Sequence, residues 1–185
     1  MSLLDDAARK GLLHSARAAI ARAIGAERAT GSIPNPQVRI PADLCAGAFV
    51  TLRLGGRLRG CIGYPEPALP LVEVVERCAV SAALSDPRFP PVSVSEWEQI
   101  DLEISVLGPI EPVGGIPEIE VGRHGLIVEL GGRRGLLLPQ VAVEWQWTAS
   151  EFAAETCTKA GLQRDAWQNG AKLFRFEADV FGESD

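Results

Sequence analysis

The segment FVTLRLGGRLRGCIG, residues 49–63, decides how the first half of the chain folds. Apolar and polar residues alternate on both sides of Gly55-Gly56. This pattern predicts two antiparallel strands joined by a two-residue turn, because glycine adopts positive φ at little cost. In a regular hairpin of this kind, Cys61 would lie opposite Val50. A bulge in the second strand would shift that register.

Cys61 stands in a setting that favours access to its thiol. Residues two apart on a strand share a face, so Arg59 would lie about 7 Å from Cys61. Gly60 and Gly63 remove side chains that would otherwise cover the sulfur or the backbone. The pattern therefore predicts a binding or catalytic site at Cys61, with Arg59, Gly60 and Gly63 as ligand-binding residues. The alternative is a thiol that packs as a small hydrophobe.

Length and composition indicate a globular domain without a nucleic-acid surface. The chain has 185 residues, of which 46% are hydrophobic, and this is enough for a sizeable core. A net charge of −6 and a pI near 5.0 argue against nucleic-acid binding. The four cysteines form no CxxC pair and only two histidines accompany them, so we predict no metal site and no cofactor.

The sequence also predicts a cytoplasmic protein that does not contact membranes. Charged residues interrupt the apolar residues at the N-terminus, which excludes a signal-peptide core there. No stretch approaches the roughly 20 apolar residues that a membrane-spanning helix needs.

Hydrophobic periodicity predicts helices and strands outside the hairpin. Helical spacing covers residues 2–24, 69–83 and 150–160, with Ser2 capping the first helix and Gly25 ending it. Strict alternation predicts half-buried strands at residues 102–106 and 173–180. In the first of these strands, Leu102, Ile104 and Val106 should face the core. Residues 26–47 contain three prolines and predict a connector.

The second half of the chain repeats the plan of the first. Residues 126–135, LIVELGGRRG, echo residues 50–60, which predicts an internal duplication over about 48–106 and 124–180. Residues 136–138 are three leucines where the first copy has Cys61, Ile62 and Gly63. The scaffold therefore does not itself require a cysteine at that place, and this favours a functional role for Cys61.

Several blocks of the sequence together resemble the AMMECR1 family, including its prokaryotic branch, AmmeMemoRadiSam system protein A. The blocks are LRGCIG at 58–63, ALSDPRFPP at 83–91, LEISVL at 102–107, VGRHG at 121–125, LPQVA at 138–142 and TKAGL at 158–162. The resemblance implies a single domain over residues 1–185. It also implies an α+β fold: a mostly antiparallel sheet flanked by helices, with a smaller lobe and a groove between the lobes. As partners it implies a Memo-like protein and a radical SAM protein.

Four further residues of these blocks are candidate site residues. His124 would act as a base if it approached a Cys61 nucleophile, and the alternative is a turn histidine bonded to backbone. Asp86 and Arg88 would form a polar wall on which Arg88 binds an anionic group; alternatively, Asp86 caps the turn while Arg88 pairs with a carboxylate. Arg123 is a second candidate for anion binding.

Two functions of different class are consistent with these residues. The first is an accessory or regulatory protein that binds a ligand or the two implied partners through a groove around Arg59 and Cys61. The second is an enzyme of acyl-transfer or thiol type, with Cys61 as nucleophile and His124 as base. The sequence predicts no particular oligomeric state.

Overall fold

The computed structural model describes residues 4–26, 40–41, 44–66 and 68–184, which form an α+β fold. The α-helices are α1 (Asp6–Ile24), α2 (Leu71–Leu84), α3 (Val94–Trp97), α4 (Pro139–Glu144) and α5 (Ala149–Lys159). The strands are β1 (Ala48–Leu54), β2 (Arg57–Tyr64), β3 (Ile100–Leu107), β4 (Glu111–Val113), β5 (His124–Leu130), β6 (Arg133–Leu137) and β7 (Lys172–Gly182).

The chain divides into two compact units. Unit 1 comprises residues 1–106 together with 179–185, and unit 2 comprises residues 107–178. In unit 1 the strand order is β2-β1-β3 followed by the end of β7. In unit 2 the first part of β7 pairs with β5 and β4, and β5 pairs with β6. The predicted α+β class with antiparallel strand pairing is therefore confirmed.

Helices α1 and α2 of unit 1 cover one face of its strands. The side chains on this face form a closed apolar core, and the predicted inward residues of β3 are among the buried ones: Leu102, Ile104 and Val106. Helix α1 begins after Asp5, whose carboxylate accepts a hydrogen bond from the N–H of Ala8 at 2.8 Å. It ends at Gly25, as predicted, with a φ of 73°. The predicted cap, Ser2, lies outside the described residues.

The β1–β2 hairpin closes through Gly55-Gly56, as predicted, but its register is not the regular one. A bulge leaves Arg59 without a partner on β1 and places Cys61 opposite Thr51. The prediction that Cys61 faces Val50 is therefore wrong. Because side chains alternate between the two faces of a strand, this one-residue shift moves Cys61 to the face opposite the one that α1 and α2 cover.

In unit 2, helix α5 packs on the β5–β6 hairpin. Its inward residue Phe152 is fully buried with Leu126 of β5, and Cys157, five residues further, is buried with Val128. The helix approaches β6 closely at Gly135, where a Cβ would lie 2.5 Å from the backbone nitrogen of Ala160. The helix predicted at 150–160 is thus confirmed, and residues 126–130, which echo the first strand of the other hairpin, also form a strand.

Three short elements were not predicted. In α4, Pro139 occupies the first turn of the helix, where its missing N–H costs nothing. Helix α3 begins with a capping box in which Ser93 and Glu96 bond to each other's backbone N–H groups. Strand β4 is only three residues long. Most of the connector predicted at 26–47 lies outside the described residues.

In the described part of the chain, no helix combines the length and the apolar character needed to cross a bilayer.

Candidate functional site

Cys61 lies on β2, at the edge of the unit 1 strands. Cys61 is half-buried, and its Sγ accepts a hydrogen bond from the hydroxyl of Thr51 across the hairpin at 3.4 Å. The backbone N–H of Cys61 points away from β1 and donates to Oδ2 of Asp86 at 2.9 Å. A carboxylate therefore occupies the place where the carbonyl of another strand would bond.

Asp86 is the buried anchor of the loop that follows α2. Its Oδ1 accepts from the backbone N–H of Arg88 at 3.0 Å and from Nε of the same residue at 2.9 Å, and its Oδ2 accepts from Nη2 at 2.7 Å. These bonds, the side-chain ones first, hold the pKa of Asp86 well below its usual range. Asp86 thus caps the turn and Arg88 pairs with its carboxylate, as the structural alternative predicted. Ligand binding by either residue stays a prediction.

Arg88 has one end of its guanidinium open. Nη2 donates to the carbonyl oxygen of Cys61 at 3.2 Å as well as to Asp86, so the group lies over the edge of β2. Half of the Arg88 side chain is exposed, whereas that of Asp86 is almost fully buried. In the described part of the chain, Nη1 of Arg88 has no hydrogen-bond partner. Two donor hydrogens are therefore available beside the thiol.

Arg59, in contrast, is fully engaged inside the protein. Its guanidinium bonds to both carboxylate oxygens of Glu96, at 3.0 and 3.3 Å, and Nη1 donates to the carbonyl oxygen of Pro90 at 2.9 Å. The Arg59 side chain is only 10% exposed. The hydrogen bond from Arg59 is the main cause that lowers the pKa of Glu96 to about 2. These contacts join β2 to α3, and the predicted ligand-binding role of Arg59 stays a prediction.

Gly60 and Gly63 are required by packing. A Cβ at residue 60 would lie 2.3 Å from the carbonyl oxygen of Ala82 in α2, so only glycine lets the helix come this close. A Cβ at residue 63 would lie 2.2 Å from the ring of Phe49. The space next to these two glycines is therefore filled by the protein, and ligand contacts by them stay a prediction.

His124 and Arg123 belong to unit 2. His124 is buried at the start of β5, and its Nδ1 accepts a hydrogen bond from the backbone N–H of Glu120 at 2.9 Å. Burial is the main cause that lowers the His124 pKa, with Arg175 and Arg123 adding to it. The neutral ring consequently carries its proton on Nε2. His124 is thus bonded to backbone, as the alternative predicted, but it begins a strand and does not lie in a turn.

Arg123 forms two exposed ion pairs within unit 2. Its Nη2 lies 2.8 Å from Oε1 of Glu177, and Nη1 lies 3.2 Å from Oε2 of Glu120. The structure thus brings Cys61, Asp86 and Arg88 together in unit 1, while His124 and Arg123 have their partners in unit 2. A nucleophile–base pair of Cys61 and His124 stays a prediction, as does anion binding by Arg123.

Two residues at this site were missed by the sequence analysis. Thr51, whose hydroxyl bonds to the thiol, lies opposite Cys61 only when the bulge is counted, and the bulge was considered but not located. Glu96 was signalled by the S-x-x-E capping box of α3, residues 93–96. That signal places Glu96 at a helix start but does not identify Arg59 as its partner.

The other cysteines provide reference thiols. Cys78 and Cys157 are fully buried, and burial raises the pKa of Cys78 to about 11 and also raises that of Cys157. Cys45 is exposed. Among the described residues, histidine, cysteine and carboxylate side chains nowhere gather in groups of three or more that could hold a metal ion.

Comparison with known proteins identifies the family. Residues 13–181 match the AMMECR1 family model. A protein of Methanothermobacter thermautotrophicus is 50% identical over 159 residues, which are 79% of this chain and 83% of that one, and Protein PF1979 of Pyrococcus furiosus is 49% identical over 88% and 83% of the two chains. The crystal structure of the uncharacterized protein PH0010 from Pyrococcus horikoshii superposes with a TM-score of 0.84 at 44% identity, covering 97% of this chain and 93% of that one. The chain belongs to the AMMECR1 family.

Proposed function

We propose that this chain is an accessory or regulatory binding protein, and that its ligand or partner contacts the edge of β2 at Cys61 and Arg88. The open Nη1 of Arg88 is the observation that carries the proposal. A donor pair that faces no protein acceptor, beside the half-buried Cys61, is available to an acceptor from outside. We assign the ligand-facing role to Arg88 because the donors of Arg59 are bonded inside the protein.

The chemistry of the pair indicates which groups would bind there. Asp86 neutralises the charge of Arg88, so net charge gives little attraction for an anion. Recognition would come from directed hydrogen bonds to a carbonyl or carboxylate oxygen. A main-chain carbonyl of a partner protein has this chemistry, and the Memo-like protein and the radical SAM protein implied by the family resemblance are the partners we propose.

The proposal is tested by titrating the purified chain with the Memo-like and radical SAM proteins of the same organism in a calorimeter. We expect a complex with at least one of them, and a loss of about tenfold in affinity for Arg88→Gln. Arg77→Gln is the matched control, because Arg77 is an arginine of similar exposure paired with Glu73 on α2. Circular dichroism checks that both variants fold. The absence of any complex, or equal binding by Arg88→Gln, would count against the proposal.

A second candidate function is an enzyme in which Cys61 is the nucleophile. It is favoured by the position of Cys61, a half-buried residue beside Thr51 and Arg88. The general base is the part of this candidate function with the least support. Asp86 is held ionised by Arg88 and is a poor proton acceptor, and Nδ1 of His124 is engaged by the backbone of Glu120.

Alkylation kinetics separate the two functions. The chain is treated with iodoacetamide at several pH values, and modification of each cysteine is followed by mass spectrometry. The binding proposal predicts that Cys61 reacts no faster than the exposed Cys45, while the buried Cys78 and Cys157 stay unmodified. Reaction of Cys61 about tenfold faster than Cys45 at neutral pH would favour the enzyme instead.

Three structural expectations accompany the proposal: a groove between a larger and a smaller lobe, an internal duplication, and a cytoplasmic location. The duplication is supported by the two hairpins with Gly-Gly turns. In each of them a glycine of the second strand lies against a helix later in the chain: Gly60 against α2, and Gly135 against the end of α5.

A further inference from the structure

The outer edge of β2 is closed at one residue. Because β2 stands at one end of the strand order, this edge pairs with no other strand in the described part of the chain. The backbone N–H of Cys61 donates to Asp86 at 2.9 Å, and the carbonyl oxygen of Cys61 accepts from Arg88 at 3.2 Å. Two side chains therefore take the place of a neighbouring strand at Cys61.

Gly63 is the next residue of β2 whose backbone faces outward. In an antiparallel pair the N–H and C=O of every second residue point to the same side, and the register is regular from Gly60 to Tyr64. Ile62 and Tyr64 therefore bond to β1, whereas Gly63, like Cys61, directs both groups away from it. Within the residues that the structure describes, neither backbone group of Gly63 has a hydrogen-bond partner. One donor and one acceptor are thus open at this edge.

The open part of the edge is short. Pro65 follows the strand and has no N–H to offer. In the other direction, a segment that pairs with Gly63 meets the side chains of Asp86 and Arg88 at Cys61. The open Nη1 of Arg88 lies at that end and can donate to a carbonyl of a segment that leaves the edge there. The edge therefore suits an extended segment of roughly three residues, of which one pairs fully.

Phe49 determines which side chain such a segment can carry. Its ring lies over Gly63, because a Cβ at residue 63 would lie 2.2 Å from it. Paired residues place their side chains on the same face of a sheet, so a residue paired with Gly63 would direct its side chain to the face of Phe49. Since Gly63 has no side chain between them, the two groups can touch. Phe49 is half-buried, and this contact favours an apolar residue.

We propose that the edge of β2 at Gly63 binds an extended segment of a partner protein by β-strand addition, with an apolar residue of the segment beside Phe49. The proposal rests on the function proposed above, since the segment belongs to the partner whose carbonyl Arg88 would bind. An extended main chain fits this edge because the N–H and C=O of one residue match those of Gly63 in a pair of hydrogen bonds.

Hydrogen exchange of single amides, followed by NMR on the full-length ¹⁵N-labelled chain, tests the edge before any partner is added. We expect the N–H of Gly63 to exchange at least about tenfold faster than those of Ile62 and Tyr64, which bond to β1. A slowly exchanging Gly63 N–H in the free chain would overturn the proposal. If the chain then also sediments as a dimer, a second copy occupies the edge instead.

The second measurement adds the Memo-like or the radical SAM protein, whichever forms a complex in the calorimeter. We expect exchange of the Gly63 N–H to become at least about tenfold slower in the complex, while that of Leu136 stays unchanged. Leu136 is the matched control. It lies on β6, at the other end of the strand order, and alternation from the Gly-Gly turn directs its N–H away from β5 in the same way.

A substitution examines the apolar contact. Phe49→Leu should weaken the complex about threefold, because the shorter side chain does not reach across Gly63. Phe174→Leu is its control, since Phe174 is a half-buried phenylalanine on β7 in unit 2. Circular dichroism checks that both variants fold.

The outcomes separate this proposal from the one on which it rests. A complex in which exchange at Gly63 is unchanged, or slows no more than at Leu136, overturns strand addition and leaves binding at Arg88 standing. Equal binding by Phe49→Leu and the unaltered chain, or equal weakening by Phe174→Leu, also overturns it. If neither protein forms a complex, both proposals fail.

Discussion

Two arginine–carboxylate pairs near Cys61 differ in what they leave open to solvent. The pair of Arg59 and Glu96 is closed, because the guanidinium also bonds to backbone carbonyls and is hardly exposed. The pair of Asp86 and Arg88 buries only its carboxylate and leaves Nη1 of the arginine open. The closed pair joins β2 to α3 and stabilises the fold, whereas the open pair leaves donor hydrogens that can bind a ligand.

The closed pair predicts a dependence of stability on pH. The pKa of Glu96 is about 2 in the folded protein, below its ordinary value of 4.5. A depressed carboxyl pKa stabilises the folded state fully above about pH 4.5, and this contribution is lost as the pH falls towards 2. We therefore expect Glu96→Gln to be less stable than the unaltered chain at pH 7 and to lose less stability between pH 4.5 and pH 2.

The measurement is urea unfolding at a series of pH values. Glu98→Gln is the control, because Glu98 is an exposed carboxylate two residues further on, and its pH profile should follow that of the unaltered chain. Equal acid sensitivity in the Glu96 and Glu98 variants would show that the pair does not contribute. Since Asp86 also has a depressed pKa, the Glu96 variant should keep part of the acid sensitivity.

At the scale of elements, each hairpin meets a helix through a glycine in its second strand. Gly60 of β2 lies against Ala82 of α2, and Gly135 of β6 lies against Thr156 of α5 and Ala160, the residue that caps this helix. In both places the added Cβ would meet helix backbone, which cannot move aside as a flexible side chain can. The distance between strand and helix is therefore set by the absence of a side chain at these positions.

Gly60→Ala should destabilise the protein by about 1–3 kcal/mol, because the methyl group pushes α2 away from β2. The change in urea midpoint measures this effect. Leu58→Ala is the control on the same strand; Leu58 is 40% exposed, and its variant should change stability by about 0.5 kcal/mol or less. If the two variants unfold alike, the close approach at Gly60 is not a constraint.

The elements also show what the sequence can and cannot predict. Gly55-Gly56 and Gly131-Gly132 predicted both hairpins correctly, because positive φ at a two-residue turn is a local requirement. The bulge at Arg59 was not located, since the bulged residue has its partner, Glu96, 37 residues away and outside any local pattern. The open donor of Arg88 was likewise beyond sequence reasoning, because it depends on which of its donors Asp86 and Cys61 use.

At the scale of the whole molecule, the chain leaves unit 1 after Val106 and returns to it at Asp179. The returning segment makes three contacts with the rest of unit 1. Asp179 pairs with Arg9 at 2.7 Å, Phe181 is buried in the unit 1 core, and Glu183 pairs with Arg17 at 2.5 Å. Periodicity predicted the strand but not its place in the first unit, since these partners are more than 160 residues apart.

This path predicts that the first unit needs the last residues of the chain to fold. A fragment of residues 1–108 lacks Phe181 and Glu183. Its core is therefore incomplete, and Arg17 loses its carboxylate partner. A chain in which an Asn-Gly turn joins residue 108 to residues 177–185 restores both. The join is short because the backbone N–H of Gly108 donates to the carbonyl oxygen of Glu177 at 2.8 Å. We expect cooperative urea unfolding for the joined chain and none for the fragment.

A Glu183→Gln change in the joined chain tests whether the contacts of the last residues contribute to stability, or whether the added chain length alone does. Glu183 accepts from Nε and Nη2 of Arg17 and from the backbone N–H of Leu102 at 3.0 Å, so the amide loses the charge but keeps an acceptor for Leu102. The joined variant should therefore still unfold cooperatively, at a lower urea midpoint. If residues 1–108 alone unfolded with the midpoint of the joined chain, the terminal strand would be dispensable. The contacts of Asp179, Phe181 and Glu183 would then not be needed for unit 1 to fold.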